Sequence, residues 1–186
     1  MNRAITAVII VMLVVGSVIA VNAEQAPQKV YDLAKGKLAA LGADPVIVAA
    51  VVAQNAKGQT LDQIKDMDGK WKATPGIADY MKAIMESPCA THLRAVQGGA
   101  PYFAEIFVMD NQGANVAMTD KTSDYWQGDE AKFQKSFAGG AGAVFVDEVE
   151  FDDSAQAYLV QVSVPVVDGG KAIGAITFGI DVDKIQ

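Results

Sequence analysis

The hydrophobic pattern of the chain changes its period near residue 102. Before that point apolar residues recur every three or four positions, as they do along one face of an α-helix. After it they alternate with polar residues, as they do along a β-strand. The 186 residues therefore predict an α+β fold. In it, N-terminal helices pack on a five-stranded antiparallel sheet that carries a helical insertion after its second strand.

The first helices are marked by their end signals. Residues 26–41 have helical apolar spacing and stop at Gly42. Asp44 then supplies an N-cap, and Pro45 occupies the first position of the next helix. Residues 46–53 of that helix are apolar on all sides, which predicts burial on most of its surface.

Three further helices follow before the period changes. Thr60 and Gln63 have the spacing of a capping box, which predicts a helix beginning at residue 61. Residues 77–85 have helical apolar spacing, and the pair Ser87-Pro88 predicts the start of a short fifth helix. The lone cysteine, Cys89, lies on that helix. We interpret it as a buried thiol, with an exposed thiol that pairs with another chain as the alternative.

Turn residues divide the second half of the chain into strands. Asp110–Gly113, residues 152–154 and residues 168–170 predict tight turns, and strands joined by tight turns are antiparallel neighbours. Alternation in the first strand places four side chains on one face: Phe103, Glu105, Phe107 and Met109. The predicted strands are 102–109, 114–118, 143–151, 156–166 and 171–181.

Residues 119–137 are the densest mixture of aromatic, charged and hydroxyl side chains in the sequence. They interrupt the sheet after its second strand. Residues 119–127 predict a loop that covers the sheet as a lid, and residues 128–137 predict a short helix. Phe133 and Phe137 would form the buried face of that helix.

The N-terminus resembles an export signal. Residues 1–23 combine Arg3, an apolar run and a small-residue ending at Ala23. We favour cleavage after Ala23, with an uncleaved anchor formed by residues 4–21 as the alternative. In both cases residues 24–186 form a single domain outside the cytoplasm, periplasmic or secreted. Because no second apolar span follows, we expect no output domain of its own.

Charge and composition exclude several classes of function. The formal net charge is −7, and removal of residues 1–23, with one positive and no acidic residue, gives −8. A domain this acidic, without a basic patch, is not expected to bind nucleic acid. One cysteine and one histidine exclude the usual zinc sites, and we predict no metal and no cofactor. No nucleophile is paired with a base, so we predict that the protein is not an enzyme.

Two stretches of the sequence resemble the single Cache domain, which is also called the PDC sensor domain. This domain is an extracytoplasmic relative of the PAS fold. The first comprises residues 53–55 with Ile64, Asp68 and Trp71, and the second is residues 123–130. The resemblance covers roughly residues 25–183. Cache domains lie outside the membrane in chemoreceptors, histidine kinases and cyclases, and bind amino acids, carboxylates and similar molecules. The resemblance therefore implies a free-standing sensor domain.

Five residues are our candidates for ligand contact. Tyr125 and Trp126 would supply an aromatic wall, and adjacent residues on an extended segment point in opposite directions. Lys121 and Ser123 would supply a positive charge and a hydroxyl. Asp181 is chosen from the resemblance, because an acidic residue near the final strand takes the ligand's amino group in amino-acid-binding relatives. The alternative for each residue is a structural role. The aromatic residues would fill the edge of the core, and the polar residues would lie in solvent.

Two functions are left open by these observations. The first is an extracytoplasmic sensor module that binds a small amino acid, amine or carboxylate beneath the lid. The second is an exported adaptor that binds a membrane receptor, kinase or transporter and no ligand. The adaptor would use the apolar helix at residues 45–53 or an exposed sheet edge. The sequence does not identify the ligand, the partner or the oligomeric state.

Overall fold

The computed structural model describes residues 24–153 and 155–185. The predicted export signal, residues 1–23, lies outside the described residues. Among the described residues, no single helix is long and apolar enough to cross a membrane. The bent pair Gln28–Leu41 and Pro45–Asn55, at 67° to each other, meets that test by length and composition only.

The helical first half is confirmed, and its end signals work as the sequence predicts. The Asp44 side chain accepts hydrogen bonds from the backbone N–H groups of Val46 and Ile47, and Thr60 and Gln63 form a complete capping box. The first helix contains a π-helical segment, Ala34–Leu38. The helices are α1 Gln28–Leu41, α2 Pro45–Asn55, α3 Leu61–Ala73, α4 Asp79–Met85, α5 Pro88–Gln97 and α6 Ala131–Phe137.

The second half forms the predicted five-stranded antiparallel sheet, with α6 inserted after the second strand. The order across the sheet is β2-β1-β5-β4-β3. Gly169 and Gly170 join β4 to β5 with φ angles of +55° and +81°, which suit a two-residue hairpin turn. The strands are β1 Phe103–Met109, β2 Asn115–Met118, β3 Phe145–Asp152, β4 Ala157–Asp168 and β5 Lys171–Asp181.

Each face of the sheet packs against different elements. On one face, side chains such as Ile106 and Phe178 pack with α1, α2 and α5. On the other face, Phe107 and Met109 pack with α3, the lid and α6. Helices α1, α2 and α5 therefore cover the face opposite the lid, and any ligand beneath the lid lies on the face away from α1.

The predicted common face of β1 is wrong at Phe103. The pairing of β1 with β5 shifts its register between Phe103 and Glu105. This β-bulge turns Phe103 toward the α1 face, where its ring lies 5.8 Å from that of Phe178. Glu105 stays on the lid face with Phe107, as alternation predicts.

The prediction that residues 46–53 are buried on most sides is also wrong. Ile47 and Val51 are buried, but Val46 is 39% exposed and Val52 43%. The helix contacts its neighbours along one side only. Its uniformly apolar sequence therefore leaves apolar side chains in contact with solvent.

The end of α1 is joined to β4 at a very close approach. The backbone N–H of Val167 donates to the carbonyl oxygen of Gly42, at 2.8 Å. A Cβ atom at position 42 would overlap the carbonyl oxygen of Pro165. The position therefore requires glycine for space, although its φ of −62° is accessible to any residue.

We expect Gly42→Ala to destabilise the protein by about 1–3 kcal/mol, because the new methyl group must displace a strand backbone. Urea denaturation measures the change in the free energy of unfolding. The control is Gly36→Ala in the same helix, where nothing lies within 4 Å of the added Cβ. That variant is expected to gain up to about 1 kcal/mol from helix propensity. Equal effects of the two variants would contradict the close packing of α1 on β4.

Candidate functional site

A buried carboxylate on α3 holds the lid. Asp68 is 7% exposed, and its Oδ1 accepts hydrogen bonds from the backbone N–H groups of Tyr125, at 2.9 Å, and Trp126, at 3.0 Å. Its Oδ2 lies 2.8 Å from Lys72 Nζ, one helical turn away, and Lys72 also contacts Asp124 at 2.9 Å. Two acidic side chains and two lid amides therefore converge on one turn of α3.

Two further contacts fix the start of the lid. The indole N–H of Trp71 donates to the carbonyl oxygen of Thr122, at 2.8 Å, within the core. Lys121 Nζ donates to the carbonyl oxygens of Thr74 and Gly76, at 3.0 and 2.8 Å. The lid is thus tied to α3 and to the loop that follows it.

Between the lid and the sheet runs a polar groove of about 370 Å³. This volume suits a small metabolite. The groove brings together Lys121 and Ser123, two of the predicted site residues, with side chains from β1 and β4. Its lining residues are Glu105, Phe107, Lys121, Thr122, Ser123, Gln127, Lys132, Asp152 and Gln161.

Glu105 and Asp152 are the acidic residues that the sheet contributes to this groove, and Glu105 lies on the central side, on β1. It is partly buried, and its Oε1 accepts a hydrogen bond from the Gln161 amide at 3.3 Å. Gly179, opposite it on β5, leaves the space that the carboxylate stem fills, since a Cβ there would lie 2.7 Å from Glu105 Cγ. Burial raises the pKa of Glu105, and the nearby Lys132 opposes that rise.

Two other groups give the groove hydrogen-bonding capacity. Gln127 is 1% exposed, and its Oε1 is buried with no hydrogen-bond partner among the described residues. Lys132 Nζ lies 2.7 Å from a Glu130 carboxylate oxygen and 5.4 Å from the centre of the Phe107 ring. The groove therefore offers acceptors at Glu105 and Gln127 and a cation at Lys132.

Tyr125 and Trp126 point in different directions and neither lines the groove. Tyr125 is 4% exposed, packs 5.9 Å from the Trp71 ring, and faces a separate cleft next to α2. The Trp126 indole N–H donates to the Gln112 carbonyl oxygen at 2.8 Å, and Lys65 Nζ lies 4.7 Å from the centre of its ring. Both side chains hold the lid in place. Their direct contact with a ligand stays a prediction.

Asp181 lies on the groove face of the sheet but at the end of β5, paired in register with Leu159. Its carboxylate accepts from the backbone N–H of Asp183, at 3.1 Å, and contacts Lys184 Nζ at 2.7 Å. These contacts satisfy the side chain locally. Its predicted role as the partner of a ligand amino group stays a prediction.

Sequence reasoning missed Glu105, Gln161 and Lys132 as members of the site. A signal for Glu105 was present, because it is an acidic residue within an apolar strand, between Ala104 and Ile106. Lys132 lies on the short helix α6, whose orientation over the sheet is set by tertiary packing. Nothing in its local sequence distinguishes it from a solvated lysine.

We expect Asp68→Ala to destabilise the protein by about 3 kcal/mol, since it leaves two lid amides without their acceptor. Hydrogen exchange of the Tyr125 and Trp126 amides should accelerate more than that of the sheet amides. Asp66→Ala, an exposed acid on the same helix, is the control and should change neither quantity. Unchanged exchange at the lid amides in Asp68→Ala would contradict the anchoring role.

Glu105 is also expected to make stability depend on pH. Because its pKa is raised by folding, the folded state binds more protons than the unfolded state between the two pKa values, and stability falls as pH rises through that window. Glu105→Gln should reduce this fall, to which Asp110 also contributes because burial raises its pKa, and should be more stable than the wild type at neutral pH. Urea unfolding from about pH 4 to about pH 8 measures it. Glu86→Gln, at an exposed glutamate outside the groove, should keep the wild-type profile, and an identical profile in Glu105→Gln would contradict the assignment.

No protein-family model and no curated protein sequence matches the chain. Solved structures of sensory domains resemble it at low sequence identity. The ligand-binding domain of the Campylobacter jejuni chemoreceptor Tlp3, in complex with 4-methylisoleucine, is 16% identical. That match covers 83% of this chain and 58% of that one, with a TM-score of 0.43.

Two other neighbours come from different organisms. The sensor domain of the V. cholerae histidine kinase DctB is 13% identical, with coverage of 85% and 55% and a TM-score of 0.35. The ligand-binding domain of the Pseudomonas aeruginosa PAO1 chemoreceptor PctC, in complex with GABA, is 13% identical, with coverage of 86% and 63% and a TM-score of 0.38. The chain thus spans less than two thirds of each of these domains. The structural neighbours are sensory and ligand-binding domains of chemoreceptors and a histidine kinase.

Proposed function

We propose that the protein is an extracytoplasmic sensor module that binds a small molecule carrying an ammonium group, an amino acid or an amine, in the groove beneath the lid. The observation that carries this proposal is Glu105. It is a carboxylate on the sheet wall, held by a single amide, with a glycine opposite that makes room for it. A partly buried carboxylate of this kind gains an opposite charge when an ammonium group binds.

The rest of the groove suits the other parts of such a ligand. The unpartnered Oε1 of Gln127 offers a second acceptor for the ammonium group. Lys132 and the Ser123 hydroxyl lie in the same lining and would bind a carboxylate. An amino acid satisfies both ends, whereas a simple amine uses only the acidic end. The lid contributes through Lys121, Thr122 and Ser123 and excludes water on one side of the ligand.

The adaptor function keeps one specific observation in its favour. Phe151 and Tyr158, at the β3–β4 hairpin, are 50% and 52% exposed, and their rings lie 5.2 Å apart. β3 is an edge strand of the sheet. Phe151 lies on this edge strand and Tyr158 on its neighbour β4, and exposed aromatic residues at a sheet edge are features of a protein contact surface. This surface corresponds to the second of the two adaptor surfaces that the sequence predicts, an exposed sheet edge, and it lies apart from α2, the first.

A melting-temperature screen with amino acids, amines and carboxylates tests the sensor function. A compound with an ammonium group, at a free concentration one hundred times its dissociation constant, should stabilise the fold by about 2.7 kcal/mol, or roughly 5–10 °C. Glu105→Gln should weaken that compound at least about tenfold, because a charge-assisted hydrogen bond is lost. Glu86→Gln should bind it as the wild type does.

Two results would overturn the sensor proposal. One is a panel in which no compound raises the melting temperature. The other is stabilisation only by carboxylates that lack an ammonium group, with equal effect in Glu105→Gln. Recovery of a specific protein partner that is lost on Phe151→Ala, together with the first result, would favour the adaptor.

A further inference from the structure

A second cleft lies at the open edge of β2, on the far side of the lid from the groove. It has a volume of about 530 Å³ and is enclosed by α2, α4, α5 and β2. None of its lining residues belongs to the groove. It is therefore a separate space, and its occupation does not depend on the function proposed for the groove.

Small side chains account for the space. Where α2 faces the cleft it presents Ala49, Ala50 and Ala53, and Ala83 of α4 also lines it. Larger apolar groups at these positions would close the gap between the helices. The remaining apolar wall includes Ile84 of α4 and Val116 of β2, and polar side chains such as Gln59, Ser87 and Tyr125 complete the lining.

One buried polar atom in the wall lacks a partner. Asn115 is 1% exposed, and its Nδ2 donates to Thr122 Oγ1, at 3.0 Å, and to the Asp124 carbonyl oxygen, at 3.1 Å. Both amide hydrogens are thereby used by the lid. Its Oδ1 accepts no hydrogen bond from any described residue. A buried acceptor left without a donor costs free energy, which a bound donor would recover.

The charges around the cleft restrict the ligand further. Among the described residues that line the cleft, Lys57 is the only one with a charged side chain. Its Nζ donates to Gln54 Oε1 at 2.8 Å. Within residues 24–153 and 155–185, no carboxylate lines the cleft, in contrast to the groove. An ammonium group would therefore find no counter-charge there, and an uncharged ligand is favoured.

From these observations we propose that the cleft at the β2 edge is a second binding site for a small, uncharged, mainly apolar molecule with one hydrogen-bond donor. Alcohols, phenols and primary amides belong to this class. The apolar body would lie against the alanines of α2 and α4, and the donor would bind Asn115 Oδ1. The volume accommodates a single aromatic or cycloaliphatic ring with substituents.

Titration with phenol and cyclohexanol, followed by two-dimensional amide NMR, tests the site. We expect saturable shifts at Ile84 and Val116, with dissociation constants on the order of 1 mM for ligands of this size. Anisole and methoxycyclohexane, which lack the donor, should bind about fivefold more weakly, the factor for one neutral hydrogen bond. Equal binding of each matched pair would overturn the assignment of Asn115.

Cleft-filling variants separate this site from adventitious binding. Ala53→Phe and Ala83→Phe fill the cleft from opposite walls at exposed positions and should abolish the shifts. Val52→Phe, on the outer side of the same helix, should bind phenol as the wild type does. Retained binding in both filled variants, or no saturable shifts at all, would overturn the proposal.

Discussion

The candidate site depends on the hydrogen bonds that the Asp68 carboxylate accepts from two consecutive lid amides. An irregular segment has no ladder of its own, so its buried N–H groups must find acceptors elsewhere. Asp68 supplies them from a rigid helix, and Lys72 balances its charge. The position of the lid over the sheet follows from this side chain together with the hydrogen bonds of Trp71 and Lys121. Because Asp68 serves the lid, it is a positioning residue for the site.

The groove illustrates a conflict between folding and binding. The sheet places Glu105 on the face beneath the lid, where burial raises the pKa of its carboxyl group. The bulge after Phe103 and the glycine at position 179 are the backbone features that make room for it. A protein selected for stability alone would favour an apolar residue here. This local cost is the physical reason to regard the groove as functional.

Two spaces with opposite chemistry lie on either side of the lid. The groove is lined by ionisable and amide side chains, whereas the cleft at the β2 edge is lined mainly by alanine and other apolar groups. Thr122 lines the groove and also accepts a hydrogen bond from Asn115, which lines the cleft. Asn115 and Thr122 therefore connect the two walls through a single hydrogen bond of 3.0 Å.

Local sequence determined the elements and their ends. Three features depend only on neighbours within a few positions and could therefore be predicted. They are the capping by Asp44 and Thr60, the alternation of the strands, and the glycine turn at residues 169–170. Tertiary structure decided which elements meet. Three contacts join residues that are far apart in sequence. They are the pairing of β1 with β5, the bulge in that pairing that turns the Phe103 side chain to the opposite face, and the approach of Lys132 to Glu105. Lys121 and Ser123 were predicted because they lie on the lid itself, whereas the sheet wall opposite them required the fold.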